Sequence, residues 1–218
     1  MHKNSIENHD LTQLGHSRFA QLPAWCGNEQ APGNDETERW RDWSQRNTTR
    51  DQARIEAFIA PLLTPRTRIL HVGLGNSRLA ERFCGQVALI AGITITLAEH
   101  DRAVSLNLPH YQPMLMNKYS SAFAQMPGKF DLIIDNNPST FGCCRTHFFR
   151  MMLAYKRLLA SGGILVTDRA GLGHVSNMSN SHERWGFSDD DWMAVADAMG
   201  MRGEARDATI LTMAAGGG

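Results

Sequence analysis

Ile69-Leu70-His71-Val72-Gly73-Leu74-Gly75-Asn76-Ser77 is the stretch on which the reading of this chain turns. Ile69 to Val72 predict a short buried strand, and Gly73 to Gly75 predict a turn tight enough for a ligand to approach the backbone. The helix that follows carries Leu79, Ala80 and Phe83 inward, and Asn76 and Ser77 offer oxygens to cap its first free N–H groups. A dinucleotide fingerprint needs a third glycine at position 78. Arg78 stands there, too bulky and charged for close approach of a pyrophosphate.

Outward from that turn the pattern repeats. Ile93 to Ala98 form a second apolar, β-branched run ending in Glu99, 24 residues beyond Gly75. Pro113 to Met116 run into Asn117, and Phe130 to Ile134 run into Asp135-Asn136-Asn137-Pro138. Gly163 to Thr167 follow Ser161-Gly162. Open parallel sheets bind ligands outside the carboxyl ends of their strands, so these polar ends describe one crevice. An acid at position 99 can accept both hydroxyls of a ribose. Ser188 to Met199 then read as a capped helix with Asp189 to Asp191 in its first turn, before two short strands at Met201 to Ala205 and Thr209 to Ala214.

This succession over residues 66 to 215 resembles the class I S-adenosylmethionine-dependent methyltransferases. The resemblance implies an α/β, Rossmann-like sandwich with a mostly parallel seven-stranded sheet and an antiparallel last strand. It also implies S-adenosylmethionine as cofactor. Gly73 and Gly75, with Asn76, would face its methionine part, Glu99 would hold its ribose, and Asn117 or Lys118 would lie beside its adenine. Asp135 to Pro138 would face the reacting centre, where Asn136 and Asn137 can orient a nucleophile and Pro138 stiffens the turn.

The chain departs from the family in two places. The Asp/Asn-Pro-Pro-aromatic motif of amine-directed members is matched only in part, because Asn137 replaces a proline and Ser139-Thr140-Phe141 delay the aromatic. The acid two positions before the first glycine is His71, and the third glycine of the family's turn is Ser77. A neutral His71 cannot hold the cofactor's ammonium as an acid does. Three readings stay open: methyl transfer to a small-molecule amine, hydroxyl or carboxylate; cyclisation of S-adenosylmethionine itself to azetidine-2-carboxylate and methylthioadenosine, as in the azetidine-2-carboxylate synthases of this fold; and an inactive cofactor-binding partner.

Residues 1–65 read as an N-terminal helical extension and 66–218 as the cofactor domain. Cys26 to Thr37 have loop composition. Thr37 to Gln45 predict a helix with Trp40 and Trp43 on one face, placed to form a lid, and Thr49 to Ala60 predict another with Ile55, Phe58 and Ile59 turned inward. Between Asp168 and Trp185 lies a polar stretch too long for a simple connection. It offers His174 as a general base, Arg169 as a carboxylate holder and Ser176 as a substrate contact.

Lysine plus arginine and aspartate plus glutamate both number 22, which gives a nucleic-acid partner no global electrostatic support. Four cysteines and nine histidines form neither C-x-x-C nor H-E-x-x-H, so no metal site is expected. Cys143 and Cys144 read as the start of a helix reaching Ala160, and no cysteine is a catalytic candidate. Val87 to Ala98, the longest apolar stretch, is too short to cross a bilayer, and the first residues lack a signal-like core. The expectation is a cytoplasmic enzyme. Its oligomeric state is not written in the sequence.

Overall fold

The computed structural model describes Trp25 and residues 42–138, 144–173 and 188–215. Its strands are β1 Arg68–Val72, β2 Leu89–Thr94, β3 Tyr111–Leu115, β4 Phe130–Asp135, β5 Leu159–Asp168, β6 Met201–Ala205 and β7 Ile210–Ala215. They form one sheet in the order β3-β2-β1-β4-β5-β7-β6. The first five pair in parallel, whereas β7 runs antiparallel to both β5 and β6. The order reverses between β1 and β4, which puts the switch point of the sheet beside the glycine turn.

Helices cover both faces. Arg50–Ile59 (α1), Arg78–Phe83 (α2) and Leu97–Ser105 (α3) lie on one side, where Ile55, Ile59, Leu79, Phe83 and Ala103 pack with Ile69, Ile90 and Ile134. Ser121–Ala124 (α4), Arg145–Leu158 (α5) and Asp189–Ala198 (α7) lie on the other. There Phe123, Phe148, Met152, Tyr155 and Trp192 pack with Leu70, Val72 and Ile133. Alternation along β1 sends Ile69 to one layer and Leu70 and Val72 to the other, as the two-residue period of a strand requires. The single turn Arg169–Leu172 (α6) follows β5.

Local chemistry sets the boundaries. Thr49 caps α1 by accepting from the Gln52 N–H. Ser188 and Asp191 form a reciprocal capping box at the start of α7. Cys144, fully buried, caps α5 through its sulfur, so this helix runs from Arg145 to Leu158 and not from Cys143 to Ala160. Cys84 is a buried free thiol.

Two expectations need correction. The second strand does not run from Ile93 into Glu99: it is Leu89–Thr94, and Glu99 sits in the first turn of α3. Pairing with β1 ends at Ile93 and with β3 at Thr94, after which Leu97, Ala98 and Glu99, all strong helix formers, turn the chain into the helix. The expected helix over Trp43 is also absent from its described part, where residues 44–46 form a turn. Its backbone is held instead by a side chain of the crevice. Among the described residues no helix is long and apolar enough to cross a membrane.

Candidate cofactor and substrate site

The glycine turn leaves β1 with Gly73 at φ 76° and Gly75 at φ 49°, and the N–H groups of Gly73 and Leu74 both donate to the Ile93 carbonyl, at 2.9 and 3.0 Å. Ser77, in the place of the family's third glycine, keeps a glycine-like φ of 60°. That conformation costs an L-residue about 1–2 kcal/mol. What holds it is a fully buried hydroxyl 3.0 Å from the Tyr111 hydroxyl, whose pKa burial pushes up to about 12. Ser77 is therefore not the side-chain cap of α2. Asn76 takes that role by accepting from the Arg78 N–H at 3.1 Å.

Glu99 folds back onto the end of β2. Its carboxylate accepts from the Thr94 hydroxyl at 2.6 Å and from the Trp43 N–H at 3.0 Å. Burial raises its pKa, although hydrogen bonds from Thr94, Trp43 and the Gly75 backbone offset part of that rise. The acid thus reaches the crevice beside the glycine turn from a helix. The Trp43 ring is partly exposed, with the Arg46 guanidinium 5.2 Å from its centre. The same segment is tied to the turn by the Asn76 amide, which donates to the Arg46 carbonyl at 2.7 Å and the Thr48 hydroxyl at 3.2 Å.

At the end of β4 Asp135 is buried among donors. Lys118 Nζ lies 2.8 Å from one carboxylate oxygen, the Tyr155 hydroxyl donates to the same oxygen at 2.6 Å, and the Asn137 N–H donates to the other at 3.1 Å. Lys118 also donates to the Asn137 carbonyl at 2.6 Å, so its ammonium is spent on the β4 turn. Burial lowers the Lys118 pKa, against the attraction of Asp135. His71, buried on the neighbouring strand, is pushed down to about 4 by burial, although Asp135 pulls the other way. It is a neutral imidazole at physiological pH. Asn117 accepts from the Tyr119 N–H at 2.8 Å, at the start of the segment that carries Lys118.

Asn136 and Asn137 point into a second group of contacts. Asn136 Nδ2 donates to Asp51 of α1 at 2.5 Å, and Asn137 Nδ2 donates to the Gly171 carbonyl of α6 at 3.1 Å. Gly171 has to be glycine, because a Cβ there would stand 2.1 Å from the Asn136 carbonyl oxygen. One step along the sheet, fully buried Asp168 at the end of β5 receives Arg54 of α1 on both oxygens at 2.7 Å. Arg169 turns to Asp189 at 2.7 Å and to the Asp207 carbonyl.

The structure thus gathers His71, Gly73, Gly75, Asn76, Glu99, Lys118, Asp135, Asn136, Asn137 and Trp43 around one set of strand ends. Trp40, His174 and Ser176 lie outside the described residues. Thr94, Asp51, Arg54, Tyr155 and Asp168 join the same set of contacts at the strand ends, and the sequence does not single them out. Asp168 alone had a local signal, as the acid closing an apolar strand. Among the described residues no group of three or more histidine, cysteine or acidic side chains is arranged to hold a metal.

A sheet of this order, with a glycine turn after β1 and an acid folded over the end of β2, defines the class I methyltransferase fold. Solved structures that share it include methyltransferases and a cyclase. The N-methyltransferase NodS of Bradyrhizobium japonicum WM9, in complex with S-adenosylhomocysteine, has a TM-score of 0.56 at 12% identity, over 85% of this chain and 97% of that one. The 1,6-didemethyltoxoflavin-N1-methyltransferase of Burkholderia thailandensis, with 1,6-didemethyltoxoflavin and S-adenosylhomocysteine bound, has the same score at 12% identity, over 81% and 80%. The [4+2]-cyclase SpnF has a TM-score of 0.54 at 18% identity, over 89% and 70%. No protein-family model matches the sequence, and no curated protein matches it.

Proposed function

We propose that this chain binds S-adenosylmethionine and transfers its methyl group to a small-molecule amine, hydroxyl or carboxylate in the cytoplasm. The observation that carries this reading is Glu99: a carboxylate beside the glycine turn whose described partners are all neutral donors, as suits an acid that accepts a sugar diol. Structures of the same fold with S-adenosylhomocysteine bound support it. When bound, the cofactor supplies an electrophilic methyl carbon on a sulfonium.

The chain's own work is then positioning and exclusion of water. Gly73 and Gly75 leave room for the amino-acid part, and Thr94 orients the Glu99 carboxylate on the ribose. The rigid Asp135-Lys118-Tyr155 group fixes the turn that carries Asn137, whose amide nitrogen is anchored on Gly171 while its oxygen can accept from an acceptor amine or hydroxyl. The covering segment is the one that carries Trp43. An even charge suits a small acceptor better than a polyanion.

A second reading rests on His71, whose neutral ring leaves the family's acid position without charge. In it S-adenosylmethionine is itself the substrate. Its free amine attacks its own γ-carbon, a C–N bond forms as the C–S bond breaks, a proton leaves the nitrogen, and methylthioadenosine departs. Mass spectrometry of the protein incubated with S-adenosylmethionine, alone and with an acceptor panel, separates the readings. S-adenosylhomocysteine formed only with an acceptor supports transfer. Methylthioadenosine with an azetidine-2-carboxylate mass, above a boiled control, supports cyclisation, and binding with neither product indicates an inactive partner.

A further inference from the structure

On the reading that the crevice binds S-adenosylmethionine, we infer that Asp51 of α1 replaces the missing acid of the glycine motif and holds the ammonium of the cofactor's amino-acid part. The placement follows from three links. Asn76 of the glycine turn is bonded to Arg46 and Thr48, just before α1 begins. Asp51, in the first turn of α1, is bonded to Asn136. Asp135 pairs in register with Val72, so Asn136 stands level with Gly73 across the sheet. Residues 46–51 therefore bridge the crevice from the glycine turn to the end of β4, over the ground that His71 leaves uncharged.

Charge pairing singles out Asp51 among the acids at the strand ends. Asp135 is neutralised by Lys118, and Asp168 by Arg54. Of these four acids, Glu99 and Asp51 are the pair with only neutral donors for hydrogen-bond partners among the described residues, although Arg54, bonded to Asp168, also attracts Asp51 through space. They occupy opposite sides of the glycine turn and suit two different groups of one ligand: Glu99 a neutral diol, Asp51 a cation. Burial works against the Asp51 charge, but hydrogen bonds from Thr49, the Asn136 amide and the backbone N–H groups of residues 51 and 52 outweigh it and hold the pKa below the usual carboxylate value. The group is an anion throughout the neutral range. A carboxylate there keeps the ligand's amine protonated and without a lone pair, which favours methyl transfer over cyclisation.

Calorimetry tests this with S-adenosylhomocysteine and its des-amino analogue, a propionate-type chain with no nitrogen. The wild-type chain is expected to prefer the amine-bearing ligand by about 10- to 100-fold, the size of one charged hydrogen bond. Asp51→Asn keeps the shape and an acceptor for Asn136, and it should erase most of that preference by weakening only the amine-bearing ligand. Asp51→Glu should restore part of it. Preference intact in Asp51→Asn, or no preference in the wild type, overturns the assignment, and the wild-type comparison holds even if the variant fails to fold. Failure of the wild type to bind either ligand refutes the cofactor reading itself and takes the assignment with it.

Discussion

Glu99→Ala is the sharpest perturbation of the proposed cofactor site. In the folded chain the carboxylate accepts from Thr94 at 2.6 Å and Trp43 at 3.0 Å, and each oxygen keeps a lone pair for a ribose hydroxyl. Two charge-assisted hydrogen bonds gross more than either loses on truncation, because water enters the space and the hydroxyls rehydrate. The expected loss is about 1–3 kcal/mol, or about 5- to 150-fold in Kd. Titration calorimetry with S-adenosylhomocysteine reads this, with urea unfolding as the control that the Trp43 and Thr94 donors have not taken the fold with them. A ligand series makes the result specific. Wild-type protein should distinguish methylthioadenosine from its 2′-deoxy form, and Glu99→Ala should not. Unchanged affinity, or an equal loss for both nucleosides, would refute the assignment of the ribose to this acid.

Other outcomes follow from the same contacts. Burial keeps His71 near 4 against an ordinary 6.5, so the folded chain resists a proton that the unfolded chain accepts. Its contribution to stability is intact above pH 6.5 and is lost as pH falls from 6.5 toward 4, by about 3 kcal/mol in all. Glu99, raised by burial, changes in the opposite sense above its ordinary value, so the comparison is with His71→Asn, whose urea midpoint should fall less over that window. A midpoint that falls equally in both proteins removes His71 as the cause. Arg54→Met strands the fully buried Asp168 carboxylate with the Ala170 N–H, at a cost of about 2–3 kcal/mol, tempered because a good part of the Arg54 side chain meets water. Adding Asp168→Asn should recover part of the loss in chemical unfolding, and strict additivity would count against the pair. Gly171→Ala drives a methyl onto the Asn136 carbonyl and should cost about 1–3 kcal/mol with a lowered Tm and reduced turnover; a neutral substitution would mean that the α6 turn is looser than its contacts imply.

The parts of the fold that could be read in advance are those whose signals are local. The strand-turn-helix at Ile69 to Phe83, the capping box at Ser188 and the closing pair of strands each announce themselves within a dozen residues. The end of the second strand is not legible, because Ile93-Thr94-Ile95-Thr96 is β-branched past the end of its ladder, and propensity does not show where a neighbour stops. Glu99 still reaches the end of β2, because its side chain folds back from α3 onto Thr94. The spacing of Trp43 from Trp40 suits a helix, whereas its N–H is taken by Glu99, 56 residues away. The α1 contacts had no sequence signal at all. Asp51 with Asn136 and Arg54 with Asp168 join positions 85 and 114 residues apart, and each looks locally like an ordinary charged residue on a helix surface.

Those same contacts constrain how the crevice can open. Ile55 and Ile59 of α1 are fully buried in the layer that holds Ile69, Ile134 and Val166, and exposing two such side chains costs about 3–6 kcal/mol before the Arg54 and Asp51 contacts are broken. A helix held so firmly is a wall of the site and not its door. The segment just before it is tied differently: Trp43 by one N–H to Glu99, and Arg46 and Thr48 by one amide of Asn76, with the Trp43 ring partly in water. All three ties end on Glu99 or Asn76, the two residues that the proposed function sets against the ligand, so on that reading a ligand would compete for them directly. If the crevice opens, residues 42–48 are the part of this cover with the least to lose while α1 stays in place, and on the proposal above a cation at Asp51 would meet the same carboxylate with that segment in place or displaced.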